Sequence, residues 1–286
     1  MSPLEKLEHS LKKRINLKKS RAALNLTPYP LEYYTSLLSK NIPFSFVRYG
    51  DGEWSAIFER SGANCDGHQY TKELGAGLSR ALKEQYPYFY AMQNHALKED
   101  GAEIIDFCKK NDLKQPFHYA DVFAAANVRG ELYPFIKCLR EKSLVIIGPG
   151  YLNELSSIFT LTHFFEVPQK NCFSAADRIC GNIAAWGKNK TGIVYSFSAS
   201  MAANVMIHDL FKDLGKNNWL LDLGSLWDIY AKKKSRGWFK KLDLQPALDR
   251  NTGVYNDKGF WKNMHDSITL AHNRFKVKKP ATIKVR

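Results

Sequence analysis

Apolar and polar residues alternate along most of this chain with two different periods. Short runs rich in β-branched and aromatic residues predict strands, and longer stretches with apolar residues three or four positions apart predict helices. We expect strands near 44–48, 87–92, 116–119, 143–147, 163–167, 191–197 and 218–223. We expect helices near 31–40, 53–60, 71–84, 100–110, 131–140, 151–159, 174–186 and 200–213. This order of elements predicts an α/β fold with a mostly parallel sheet and helices on both faces.

The first 22 residues follow another pattern. Leu4, Leu7, Leu11 and Ile15 fall on one helical face, and the lysines of the segment lie mostly elsewhere. Such a pattern is typical of a helix that lies at a membrane interface. It is also typical of a helix that docks on its own domain or on a second subunit. We define residues 1–22 as a basic amphipathic segment.

The rest of the chain divides only once. No internal repeat or Pro/Gly-rich linker interrupts residues 23–235, which we expect to form one domain. From about Ser235 the alternation gives way to a basic, aromatic-rich stretch with one more helix near 258–272. We expect residues 236–286 to form an extension packed on the domain.

Composition places the chain among ordinary globular proteins. It has 286 residues, of which 44% are hydrophobic, so it can build a sizeable core. It contains no run of roughly 18 apolar residues, the length that a membrane span needs. The beginning of the chain is too charged for a secretory signal, so we expect a cytoplasmic protein. The five cysteines, without a C-x-x-C pair, argue against a disulfide framework and a structural zinc site.

The net charge of +14 is concentrated in three places. Residues 1–22 contain seven basic and two acidic residues, while 232–241 and 274–286 each contain six basic residues and no acidic one. The remainder of the chain is therefore close to neutral. This distribution indicates adhesion to an anionic surface rather than a groove built for duplex nucleic acid. Trp238 and Phe239 interrupt the middle cluster, which suits lipid headgroups, a sugar or RNA.

The first candidate site is the segment FSFVRYGDGEW at 44–54. The apolar run breaks at Gly50 and is followed by Asp51 and Glu53, which in an extended or tightly turned backbone point the same way. Both carboxylates can then face one divalent cation, while Arg48 and the backbone of Gly50 and Gly52 leave room for a phosphate. The alternative is that Asp51 caps the following helix and Glu53 stabilises its first turn.

Two later loops also suit an anion. Ser198 and Ser200 lie between a predicted strand and a predicted helix, where hydroxyl and backbone N–H groups can seat a phosphate. Alternatively, one of these serines is only the helix N-cap. The segment LLDLGSLWDIY places Asp222, Ser225 and Asp228 at another strand end. Gly148-Pro149-Gly150 is more typical of a tight turn.

The segment NCDGHQY supplies further candidates. Asn64, Asp66 and His68 alternate onto one side, so that Asp66 with His68 could orient an acceptor hydroxyl or act as general base. The alternative, a hydrogen-bonded surface turn, is the more common role for such a pair. Asp121 and Arg129 form a weaker candidate pair, with a structural ion pair as the default.

Three of these segments resemble the GT-D-type glycosyltransferases, a Rossmann-like family of nucleotide-sugar enzymes with a D-x-E motif. VRYGDGEW at 47–54 resembles the R-[FY]-G-D-G-E segment of that family, and YADVFAAANVRGEL at 119–132 is similar to its Y-x-D-x-F…R region. The stretch 193–230 is similar to its strand–helix–strand unit that ends in L-D-[IL]-G. Where relatives have histidine after that motif, this chain has Ser225. The likeness covers about 40–230.

The resemblance implies a Rossmann-like catalytic domain. It implies that Asp51 and Glu53 hold Mn²⁺ or Mg²⁺ on the diphosphate of a UDP-sugar, with Arg48 nearby. The sugar would pass to a polysaccharide, glycoprotein or lipid-linked acceptor, and Asp66, His68 or Asp121 would deprotonate its hydroxyl. We expect no nucleic-acid partner, and a peripheral contact with the anionic inner membrane face through the basic ends.

Two other functions remain open from the sequence alone. The first is a non-catalytic protein that uses its basic flanks to bind RNA or an anionic lipid surface, with strong salt dependence. The second is another phosphate-handling transferase on the same type of fold. Sensitivity to Asp51 separates the first from the glycosyltransferase, and nucleotide preference separates the second.

Overall fold

The computed structural model describes residues 3–233, Ser235 and residues 243–253. The helix predicted near 258–272 and the basic residues of 274–286 lie outside these ranges. So does most of the basic cluster at 232–241.

Seven parallel strands in the described part of the chain form one sheet. They are β1 (Ser45–Tyr49), β2 (Phe89–Met92), β3 (Phe117–Tyr119), β4 (Ser143–Gly148), β5 (Leu161–Glu166), β6 (Ile193–Phe197) and β7 (Trp219–Asp222). Their order across the sheet is β3-β2-β1-β7-β6-β4-β5. Each corresponds to a predicted strand, and all the pairings between them are parallel. The α/β, Rossmann-like prediction is therefore confirmed.

The strand order determines where a ligand can bind. Strands β1, β2 and β3 lie side by side and form one half of the sheet. Strands β4 to β7 form the other half, in which β7 pairs with β1. In open parallel sheets, the crevice where the winding direction changes lies outside the carboxyl ends of the strands. The ends of β1, β6 and β7 lie at this point.

Eleven α-helices surround the sheet in the described residues. They are α1 (Pro3–Ala23), α2 (Leu31–Ser39), α3 (Asp51–Ile57), α4 (Lys72–Lys83), α5 (Asn94–Glu99), α6 (Gly101–Lys110), α7 (Val122–Arg129), α8 (Tyr133–Arg140), α9 (Ala176–Gly187), α10 (Ala202–Leu210) and α11 (Gln245–Thr252). The helix predicted near 151–159 is a 3-10 helix, Gly150–Ser157. Short helices α5, α7 and α11 were not predicted, because the apolar residues in these segments do not recur with a clear helical period.

The core has two layers because helices pack on both faces of the sheet, although the edge strand β5 has no fully buried residue. Along β1, Phe46 packs against one layer, with α2, α7 and α8, while Val47 packs against the other, with α4, α6, α9 and α10. In β4, Leu144 to Ile147 are all fully buried, as expected for a strand covered on both faces. The predicted placement of helices on both faces is confirmed.

A glycine contact holds α3 against α4. A Cβ built on Gly75 of α4 would lie 2.2 Å from the backbone oxygen of Ala56 in α3. Only glycine therefore allows this approach of the two helices. The contact supports α3, whose first turn reaches the carboxyl edge of the sheet.

The helices at the two ends of the described chain pack on the domain. The carboxyl-terminal half of α1 contacts α5 and α6, and α11 contacts α7 and α8. Asn251 of α11 accepts the backbone N–H of Leu132 at 2.8 Å. Among the described helices, none combines the length and the apolar character needed to cross a bilayer.

Candidate functional site

A cleft of about 570 Å³ opens along the carboxyl edge of the sheet. Residues that follow all seven strands contribute to its walls, because parallel strands end at the same edge. The cleft brings together the predicted site residues Arg48, Gly50, Asp51, Gly52, Glu53, Asp66, His68, Ser198, Ser200 and Ser225. Asp222 is the exception and lies behind the wall. These residues span about 180 positions in the sequence, so only the fold makes them neighbours.

The two carboxylates of the D-x-E motif enter the cleft from a helix. Helix α3 begins at Asp51, directly after β1, with Gly50 at the N-cap position. The backbone here is therefore helical, not extended as the first interpretation of this segment allowed. In the alternative, the N-cap position of Asp51 is wrong by one residue, but Glu53 does lie in the first turn of the helix. Both side chains nevertheless line the cleft.

The side chain of Glu53 lies where burial disfavours its ionised form. Its Oε2 accepts the backbone N–H of Gly50 at 2.8 Å. Burial raises the pKa of Glu53 to about 7, although backbone hydrogen bonds and the charge of Arg48 act in the opposite direction. A cation placed beside this carboxyl group would favour its ionised form. The partly buried carboxyl group of Glu53 is therefore suited to bind a cation.

The guanidinium of Arg48 is held in place by Asp222, which lies behind the wall of the cleft. Its Nε and Nη2 donate to the two carboxylate oxygens of Asp222 at 3.1 and 3.0 Å. A Cβ on Gly224, whose φ is +52°, would lie only 1.8 Å from the Arg48 guanidinium. Asp222 therefore does not line the cleft but holds Arg48, which does. Burial raises the pKa of Asp222, and the guanidinium of Arg48 opposes that rise.

The turn after β6 is not a serine cap. Helix α10 has Met201 at its N-cap position and no side-chain cap bond, so the reading of Ser198 or Ser200 as the N-cap is wrong. Ser200 has a left-handed φ of +53°, which is uncommon outside glycine and often marks a functional turn. The hydroxyl of Ser198 is buried without a hydrogen-bond partner among the described residues. An orphaned hydroxyl at the cleft wall suits an anionic ligand.

The loop 61–70 lines the cleft next to this turn. Oδ1 of Asn64 accepts the backbone N–H groups of Asp66 and His68, each at 3.0 Å, and its Nδ2 donates to Ser200 Oγ at 3.0 Å. This is the hydrogen-bonded turn of the alternative interpretation, and it also faces the cleft. Nδ1 of His68 accepts the backbone N–H of Asn171 at 3.1 Å. A neutral His68 consequently carries its proton on Nε2, which makes it a poor base.

The other predicted pair does not form. Asp121 lines the cleft, but Arg129 at the far end of α7 pairs with Glu131 at 2.6 Å. The Asp121–Arg129 ion pair is therefore wrong, because a whole helix separates the two side chains. Pro149 forms a turn at the cleft, as the Gly-Pro-Gly sequence predicts.

Several polar residues of the cleft were not predicted from the sequence. They are Gln93, Tyr151, Lys170 and Lys233. The hydroxyl of Tyr151 donates to Asp228 Oδ1 at 3.0 Å. Gln93 directly follows β2, so its strand-end position was the available signal. Lys170 lies in a loop without a motif and Lys233 belongs to the basic cluster at 232–241, and only the fold brings their positive charges to the cleft.

The residues that could hold a magnesium or manganese ion together with a ligand phosphate are the cleft carboxylates Asp51 and Glu53. No cluster of three or more His, Cys, Asp or Glu suited to a metal exists among the described residues. A complete protein cage is therefore not formed there. Mg²⁺ in phosphate-transfer sites usually takes one or two carboxylates and completes its shell with water and substrate phosphate. Asp51 and Glu53 supply such a pair.

Comparisons with known proteins identify the fold. No protein-family profile and no curated protein matches the sequence. Two solved structures of domain of unknown function 1792 match with a TM-score of 0.54 at 14% identity, covering 86% of this chain and 97% of theirs. One is described as having "a distinct glycosyltransferase fold". A third, "A New Glycosyltransferase (DUF1792) from Streptococcus sanguinis", matches with a TM-score of 0.54 at 15% identity, covering 85% and 97%. The GT-D resemblance is thereby confirmed at the level of the fold.

Proposed function

We propose that this protein is a metal-dependent glycosyltransferase. It would move a sugar from a nucleoside-diphosphate donor, with UDP as the expected nucleotide, to a polysaccharide, glycoprotein or lipid-linked acceptor. One observation carries the proposal: Asp51, Glu53 and Arg48 meet in a single cleft at the end of β1. The similarity to structures described as glycosyltransferases supports it through the fold.

The chemistry of sugar transfer explains this mixture of charges. Cleavage of a glycosyl–phosphate bond builds negative charge on the leaving diphosphate, and a bound divalent ion supplies the main counter-charge there. Asp51 and Glu53 would hold that ion. Arg48 and Lys170 add fixed positive charge to the cleft, and the orphaned hydroxyl of Ser198 offers a donor for a phosphate oxygen.

The acceptor hydroxyl needs a base that takes its proton. Asp66 and Asp121 both line the cleft. His68 ranks below them because its Nδ1 already accepts a hydrogen bond. We propose Asp66 as the general base, since it lines the cleft on the 61–70 loop, which Asn64 joins to Ser200. The same loop would contact the acceptor.

Calorimetric titration of the full chain with UDP tests the proposal. The wild type should bind UDP when Mn²⁺ is present and lose most of that affinity when EDTA removes the metal. Asp51→Ala should weaken metal-dependent binding at least about tenfold, because one of two protein ligands is lost. Asp177→Ala is the matched control, since Asp177 is also exposed in the first turn of a helix but lies outside the cleft.

Other nucleotides and a product assay complete the test. Equal binding of other nucleoside diphosphates would favour a different phosphate-handling transferase. UDP binding that ignores both the metal and Asp51→Ala would refute the metal site. Release of UDP from a panel of UDP-sugars measures the reaction itself, and a wild type that releases none with any donor would count against a glycosyltransferase.

A further inference from the structure

Helix α1 docks on the domain through one face only. Leu17 packs against the core, the hydroxyl of Ser20 lies 3.4 Å from the backbone oxygen of Leu97, and Arg21 donates to Asn94 at 2.8 Å. All these contacts come from the carboxyl-terminal half of the helix. They show that α1 belongs to the fold, as one of the two interpretations of this segment requires.

The apolar stripe of α1 points away from the domain. The stripe consists of Leu7, Leu11 and Ile15, whose exposed fractions are 57%, 48% and 53%. At 3.6 residues per turn its centre lies about half a turn from Lys13 and Ser20, which face α5 and α6. Helix α1 therefore docks on the described part of the domain through its polar face, and the stripe remains exposed to solvent. Such a stripe is typical of an interaction surface.

Basic residues border the stripe on both sides. Arg14 lies at one edge and Lys12 and Lys19 along the other, while Lys18 continues the line of the stripe beyond Ile15; all four are exposed. Glu8 also lies on the second edge, so the border remains positive overall. Exposed apolar side chains flanked by lysine and arginine characterise helices that lie in the headgroup region of anionic membranes.

We propose that α1 binds the surface of an anionic lipid bilayer, with the stripe inserted among the acyl chains and the flanking cations on the headgroups. The charges argue against a second copy of the chain as the occupant. In a coiled coil, a heptad pattern continued from Leu7 and Leu11 places Arg14 and Lys18 at the next seam positions, where like charges would face each other. Three side chains also fall well short of the ~800 Å² per partner that a stable interface buries.

Vesicle sedimentation of the full chain tests the membrane surface. The wild type should sediment with vesicles of equal parts phosphatidylcholine and phosphatidylglycerol and stay in the supernatant with phosphatidylcholine alone. The triple variant Leu7→Ser, Leu11→Ser, Ile15→Ser should lose at least about tenfold in partition, because each buried apolar side chain contributes to insertion. Ile42→Ser is its control, since Ile42 is exposed to a similar extent outside the helix.

A second pair of variants tests the charges. Lys12→Gln with Lys19→Gln should weaken partition about fivefold per charge at low salt. Lys109→Gln with Lys137→Gln removes the same net charge from exposed positions on α6 and α8 and should have little effect.

Three results would overturn the membrane proposal. They are absence of wild-type sedimentation, a triple variant that sediments like the wild type, and a wild-type dimer that the triple variant abolishes in analytical ultracentrifugation. None of them involves nucleotide, so UDP binding by the same variants reports separately on the proposed enzyme.

Discussion

The buried carboxyl group of Glu53 makes a quantitative prediction about stability. Its pKa is raised from 4.5 to about 7 in the folded protein, so the unfolded chain loses this proton at lower pH than the native one. Stability is therefore greatest below the unfolded pKa and is lost as the pH rises through the folded pKa. At 1.36 kcal/mol per pKa unit, the cost to the native state approaches about 3 kcal/mol above pH 7.

Glu53→Gln removes this cost. Glutamine has nearly the same size and keeps an oxygen that can accept the Gly50 N–H, but it does not ionise. Any constant loss from the substitution cancels when two pH values are compared. The variant should therefore gain about 2–3 kcal/mol relative to the wild type between pH 5 and pH 8.

Urea unfolding of both proteins at pH 5 and pH 8, with EDTA present, measures this difference. Glu73→Gln is the matched control, because Glu73 also lies in the first turn of a helix but is exposed. A gap between the Glu53→Gln variant and the wild type that stays the same at both pH values would refute the reasoning. It would mean that solvent or a nearby cation already stabilises the Glu53 carboxylate.

Two other perturbations follow from contacts near the site. Asp222→Ala should cost about 3–5 kcal/mol in the free energy of unfolding, because it leaves the guanidinium of Arg48 without its buried partner; urea unfolding that shows no loss would contradict this. Gly75→Ala should destabilise by about 1–3 kcal/mol, since its new methyl group meets the backbone oxygen of Ala56. Gly181→Ala, in a helix with no atom within 4 Å of the new Cβ, should instead stabilise by about 0.5–1 kcal/mol, and equal melting temperatures for the two variants would be inconsistent with the α3–α4 contact.

The alternation of apolar and polar residues was sufficient to predict the sheet. All seven strands were predicted because each is a short run that contains β-branched or aromatic residues. The pattern did not reveal α5 or α7, which have only six and eight residues. In such short segments, one helical turn of polar or alanine residues is enough to hide the period.

The candidate site was predictable as a set of residues but not as a geometry. Asp51, Glu53 and Arg48 stand out because they follow a strand in a recognisable motif. The sequence could not show that the carboxylate of Asp222 accepts a hydrogen bond from Arg48, which lies 174 positions earlier in the chain. It also could not show that Asn64 bridges its loop to Ser200, because such contacts depend on the strand order.

The sequence by itself therefore determined the seven strands and most of the helices of this protein, the residue types available for chemistry and the location of its positive charge. The tertiary structure decided which of these residues share the cleft, that Asp51 and Glu53 lie on a helical turn, and that the apolar stripe of α1 faces outward. The physical reason is that the two kinds of information act over different distances along the chain. Periodicity and turn chemistry act over a few residues, whereas the packing of a parallel sheet brings together strand ends that are far apart in the chain.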